Sequence, residues 1–133
     1  MLGLFGIQIN LWAILVAAIA YMIIGMIYYA PKVAGKKWMK LAKIKKSKVP
    51  FSSIIIGLVS AFIMALGLAH IVGWIAHDII GGLIAGAFVW LFFISTQAIN
   101  AVLWERKPWS LYCLNNFYNL IVLIVMGIII GLM

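Results

Sequence analysis

Acid is almost missing from this chain. Two carboxylate side chains, Asp78 and Glu105, stand against ten Lys and Arg in 133 residues. Neither lies inside a long apolar run. No run therefore holds the paired carboxylates of a general acid–base site, or the buried acid that proton-coupled carriers place in the bilayer. Cysteine is equally scarce. Cys113 stands alone, which excludes an intramolecular disulfide and any cysteine-based metal set. Proline occurs three times, at Pro31, Pro50 and Pro108, always between apolar runs, where it bounds helices rather than kinking them. There is no phosphate-binding loop, serine-hydrolase elbow or haem attachment motif. The chain is expected to be non-catalytic and to carry no cofactor.

Apolar residues fill the space that charge leaves. They make up 68% of the positions, and charged residues 9%. An ordinary soluble domain is about half apolar and about a quarter charged, so a soluble fold of this length has nowhere to hide such a surface. The apolar residues fall into four runs, at about 7–29, 51–74, 79–104 and 109–133, with a basic loop at 30–50. A bilayer core about 30 Å thick needs about 20 helical residues to cross it, and each run is long enough. The runs are continuous, whereas barrel strands alternate over about ten residues. The predicted fold is a single all-α domain, an integral membrane bundle of four transmembrane helices. The first run lacks a basic flank before it and is long enough to span, so it reads as a helix rather than a cleavable leader.

The net charge of +8 is confined to loops. Eight of the ten basic residues lie between Lys32 and Lys48, and the others are Arg106 and Lys107. Confinement between apolar runs argues against a nucleic-acid arm and for cytoplasmic loops. Loops one and three are then inside, and both termini are outside, most simply at the cytoplasmic (plasma) membrane. Within loop one, a helical wheel from Ala34 to Ile44 places Trp38, Leu41 and Ala42 on one side and Lys36, Lys40 and Lys43 on the other. With Lys37 they form a short basic amphipathic helix suited to the headgroup layer. Each lysine gains about 1 kcal/mol near anionic lipid, so anionic headgroups are the expected partners.

Small residues recur every fourth position in the second run: Ser53, Gly57, Ala61, Ala65, Ala69 and Gly73. Gly82 and Gly86 repeat the spacing in the third run, Gly127 and Gly131 in the fourth. Such stripes let helices approach closely where lipid supplies no hydrophobic drive. The neighbour is either a helix of the same chain or a second copy. Four spans make a thin bundle, so a homo-oligomer or an accessory subunit of a larger membrane complex is expected.

Polar groups inside the runs are the functional suspects. The third carries Gln97 and Asn100, the fourth Asn115, Asn116 and Asn119. Gln97 and Asn100 lie about as far from loop three as Asn115 and Asn116, which predicts a meeting near Tyr28 and Tyr112. Amides are poor bases, so interhelical glue is the leading reading and a path for a small neutral solute the alternative. At the other end Asn10 and His70 are expected to bond to each other. His70, His77 and Asp78 make only a weak metal pattern, and no metal is expected. Glu105 and Arg106, ahead of the Pro108 turn, are expected to pair with loop-one lysines or lipid phosphate. If association is the role, leucine at Gly57 or Ala65 breaks assembly and leucine at Asn100 does not.

Several short motifs run in order along the whole chain: Asn10 and Trp12, then Tyr28-Tyr29-Ala30-Pro31, Gly35 and Trp38-Met39. Trp90, Phe93, Asn100, Glu105-Arg106, Pro108, Tyr118 and Gly127 come after them. With these the chain resembles the small membrane proteins grouped as domain of unknown function 1761. The resemblance implies a four-helix membrane domain and no particular activity. It singles out Asn10, Trp38, Asn100 and Glu105 among their neighbours.

Overall fold

The computed structural model describes residues 2–43 and 50–133. Among them the chain is helical, with no strand beyond an isolated Leu2–Gln8 bridge. Four spans are long and apolar enough to cross a membrane: Leu11–Tyr28, Phe51–Ile75, Ile79–Leu103 and Trp109–Leu132. The first is α1. A π-helical turn, Pro31–Gly35, leads into a short α2, Lys36–Ala42, and α3 comes next as Phe51–Ile75. The third span divides into α4, Ile79–Val89, a π-helical turn at Trp90–Ile94, and α5, Ser95–Leu103. The last span is α6, Trp109–Leu132.

Helix starts are set by local chemistry. Asn10 is the cap of α1: its Oδ1 accepts from the backbone N–H of Trp12 (3.0 Å) and Ala13 (3.4 Å). That cap sets the start at Leu11, four residues after the apolar run begins, and satisfies two of the free N–H groups at a helix start. Asp78 Oδ1 caps α4 through Gly81 N at 2.6 Å. Pro50 and Pro108 sit in extended backbone just before α3 and α6, where the missing N–H costs nothing. The last hairpin turns on Arg106 in a left-handed conformation (φ 56°).

The bundle is organised around α6. In its most apolar stretch 39% of residues are buried, against 22% in each of the other spans. It touches α1, α3, α4, α5 and α2. The most extensive contact is α4 on α6, and glycine makes it. A Cβ on Gly82 would strike the Gly127 carbonyl oxygen, one on Gly127 would strike that of Gly82, and one on Gly131 that of Asp78. The two backbones touch directly, as small-residue packing in lipid requires. The ladder of α3 is also used inside the chain. Ala61, Ala65 and Ala69 are buried, Gly57 faces Met22 of α1, and Gly73 faces Ile7 of the N-terminal segment. Between the sequence's two options for this stripe, an internal neighbour or a second copy, the internal neighbour takes it. Leu15, Ile19, Ile23, Ile55, Val59, Ile63, Leu91 and Phe92 stay exposed, the apolar surface that lipid solvates.

Candidate functional site

The polar chemistry collects at the end of the bundle that carries the basic loop, and tyrosine organises it. Tyr28 and Tyr29 close α1. The Tyr28 hydroxyl donates to the Leu114 carbonyl at 2.6 Å and the Tyr29 hydroxyl to Asn115 Oδ1 at 2.7 Å. Both bonds tie α1 to α6. Tyr118 returns the contact by donating to the Tyr21 carbonyl at 3.2 Å. The Tyr29 and Tyr118 rings meet edge to face at 5.1 Å, and Trp38 of α2 packs on Tyr29 at 5.3 Å. Such pairs add about 0.5–1.5 kcal/mol beyond area burial. Burial raises the pKa of Tyr29, with Tyr28 adding to the rise. The hydroxyl is therefore a neutral donor at physiological pH. Two glycines make room here: a Cβ on Gly25 would lie 2.8 Å from the Tyr118 hydroxyl, and one on Gly35 would strike the Tyr29 carbonyl.

A second polar knot lies where α6 passes the π turn of the third span. Trp90 Nε1 donates to the Asn116 carbonyl at 2.9 Å, and the Tyr112 hydroxyl donates to the Ser95 carbonyl at 3.0 Å. Asn116 Nδ2 reaches the Tyr112 oxygen at 3.4 Å. Asn116 is buried, and its Oδ1 has no hydrogen-bond partner. Ser95 Oγ bonds to the Leu91 carbonyl at 2.8 Å, and Thr96 Oγ1 to those of Phe92 and Phe93 at 3.0 and 3.2 Å. These side chains satisfy carbonyls that a π turn leaves poorly served, the condition for irregular helix at membrane depth.

The five amides do not gather. Asn115 faces α1 and Asn116 faces the π turn. Gln97 and Asn100 are exposed on the outside of α5, and Asn119 is half-buried on α6. Among the described residues no side-chain hydrogen bond reaches Gln97, Asn100 or Asn119. The π turn is the reason. On an unbroken α-helix Gln97 and Asn100 continue the stripe of Gly82, Gly86 and Phe93, which would face α6. One extra residue in a turn rotates the helix beyond it by about 100°. Ile94, Ala98 and Ala101, each one residue further on, take those positions instead, with Ser95 buried beside them. In the sequence, Ser95 and Thr96 are the signal for that turn.

The remaining expected sites also resolve. His70 Nδ1 contacts the Leu66 carbonyl one turn back at 2.8 Å, and its ring packs on Trp74. Its partner is not Asn10, whose amide caps α1 and reaches the Met133 carbonyl at 3.4 Å. Gly3 lies over His70, where a Cβ would come within 2.6 Å of Nε2. Neither Glu105 nor Arg106 is in an ion pair among the described residues; the Lys107 N–H closes this turn on the Ala101 carbonyl at 3.0 Å. The basic helix forms with Lys36, Lys37, Lys40 and Lys43 exposed and Trp38 turned inward. Its expected end at Ile44 lies outside the described residues.

A family model described as "Protein of unknown function (DUF1761)" matches residues 12–131. The chain belongs to this family. Of the DUF1761 motif residues that carry the resemblance, Tyr28, Tyr29, Gly35, Trp38, Met39 and Tyr118 converge on the tyrosine cluster. No curated protein and no solved structure matches this DUF1761 chain.

Proposed function

We propose that the chain is a non-catalytic membrane bundle that works by associating with another helix through the outer face of α5, either in a homo-oligomer or as an accessory subunit of a larger complex. The observation that carries this reading is the exposure of Gln97 and Asn100. Gln97 stands six residues, about 9 Å, from the end of a span. A side-chain amide facing hydrocarbon is unfavourable and finds partners across helices. Amides both donate and accept, so the face suits a second copy of itself or another polar helix. The internally occupied ladder of α3 supports the same assignment, since that stripe is already taken by neighbours within the chain. Substitutions on α5 thus replace Gly57→Leu as the test of assembly. Orientation rests on loop charge: α2 lies on the cytoplasmic side of the plasma membrane, with both termini outside.

Native mass spectrometry after gentle extraction tests the reading. The wild-type chain is expected in a stoichiometric complex, and Gln97→Leu with Asn100→Leu is expected to release it as a folded monomer. A monomeric wild type would refute association. The second reading, a path for a small neutral solute, has less support because the amides expected to line it are dispersed. Flux in proteoliposomes that Asn116→Leu abolishes would restore it.

A further inference from the structure

A groove of about 640 Å³ runs between the end of α1, the basic helix α2 and the start of α6. That volume lies within the about 300–1,000 Å³ typical of small-ligand sites. Trp38 sets its basic wall. The Trp38 ring packs on Tyr29 at 5.3 Å, which fixes the rotation of α2. The preceding residue, Lys37, stands about 100° round the helix and lines the groove. Lys36, Lys40 and Lys43 do not.

The wall from α6 changes character with depth. Trp109 and Ser110 begin the helix, Cys113 and Leu114 lie one turn further along, and Phe117 a turn beyond them. From Trp109 to Phe117 this wall extends about 12 Å from the loop end along the span, polar at first and apolar below. The Tyr28 hydroxyl is committed to the Leu114 carbonyl, so its ring adds apolar surface. The Lys37 ammonium and the Ser110 hydroxyl are in no ion pair or side-chain hydrogen bond among the described residues, and neither Asp78 nor Glu105 lines the groove. A free cation and a free hydroxyl thus stand at the headgroup end of an apolar channel two helical turns deep. Basic pockets between membrane helices hold anionic lipid head groups.

We propose that this groove is a binding site for one anionic phospholipid of the surrounding bilayer, with the phosphate at Lys37 and Ser110 and an acyl chain along Cys113, Leu114 and Phe117. The site is independent of the α5 face, so either assignment can fail alone.

The test titrates purified, delipidated protein with phosphatidylglycerol or phosphatidylcholine. Retention is read by native mass spectrometry, and occupancy by the rate at which N-ethylmaleimide modifies Cys113, which is exposed. One phosphatidylglycerol is expected to be held at about fivefold lower concentration than phosphatidylcholine, the weight of one lysine near an anionic group, and to slow Cys113 modification as it binds. Lys37→Gln is expected to erase the preference and to raise the phosphatidylglycerol needed for protection about fivefold. Lys36→Gln with Lys43→Gln, outside the groove, is expected to change neither. Cys113→Trp fills the groove from an exposed position and is expected to abolish retention at unchanged thermal stability. Equal retention of the two lipids by the wild type, or a Cys113 rate that phosphatidylglycerol does not change, would overturn the proposal. So would a preference that survives Lys37→Gln or Cys113→Trp. A preference that falls as far with the Lys36 and Lys43 pair would overturn it as well, since that locates the lipid on the basic loop as a whole.

Discussion

Gly82→Ala adds one methyl group and is expected to be among the most damaging single changes in this bundle. The added Cβ points at the Gly127 carbonyl oxygen, and the next atoms, Gly127 C and Ile128 N, lie 2.5 and 3.2 Å away. All three are backbone, so no rotamer change relieves the contact. The α4–α6 pair has to part, and the shift disturbs Gly86 and Gly131, whose own Cβ positions meet α6 and Asp78 backbone. Overpacking of this kind costs about 1–3 kcal/mol, which is about a 5- to 150-fold change in the unfolding equilibrium. Gly67→Ala is the matched control. No atom outside its own helix lies within 4 Å of its Cβ position, and alanine gains up to about 1 kcal/mol over glycine inside a helix. The two alanines therefore act in opposite directions. Gly127→Ala is expected to cost as much as Gly82→Ala alone, and the double variant less than the sum, because one separation relieves both contacts. The measurement is unfolding by a denaturing detergent at fixed total detergent, monitored by circular dichroism. A Gly82→Ala midpoint at or above that of Gly67→Ala would refute backbone contact between α4 and α6.

Single bonds carry further expectations. Tyr29→Phe removes the hydroxyl that serves Asn115 Oδ1; the same unfolding assay should show a loss of about 0.6 kcal/mol, and up to about 1.7, and a variant as stable as wild type would remove this bond from the account. Asn10→Ala takes the cap from α1 and should lower stability by about 0.5–2 kcal/mol, with faster amide exchange at Trp12 and Ala13 as the local signature. Lys40→Cys in a Cys113→Ala background should resist a membrane-impermeant thiol reagent applied from outside to whole cells; labelling there would invert the proposed orientation.

The sequence is most informative where the physics is one-dimensional. Span number comes from apolar run length against bilayer thickness, and the basic helix from Trp38 opposite its lysines. Glycine spacing marks Gly82, Gly86, Gly127 and Gly131, and these residues do form the closest packing in the bundle. Pairings that depend on rotation about a helix axis, or on contacts distant in the chain, are harder to read. Depth alone pairs Asn10 with His70, yet a residue ahead of a helix start is claimed first by free backbone N–H groups. Tyr29 reads in the sequence as an interfacial aromatic, because a bond between residues 86 apart, such as Tyr29 with Asn115, leaves no periodic trace.

Gln97 and Asn100 carry the largest consequence of the π turn. With uniform α-helical rotation they belong to the same face as Gly82 and Gly86 and would be buried against α6. The turn at Trp90–Ile94 removes them from that face and gives it to Ile94, Ala98 and Ala101. A π turn weakens helix bonding and is held here by Ser95 and Thr96 hydroxyls on three carbonyls. The arrangement gives up regular helix in order to turn two amides outward. Within a closed monomer that is doubly unfavourable, in backbone bonding and in amide exposure to lipid. Beside a second polar helix the exposure term reverses: the amides gain partners, and that gain offsets the backbone cost of the turn that aims them. The same geometry thus argues against a pore within one chain and for an interface on its outside.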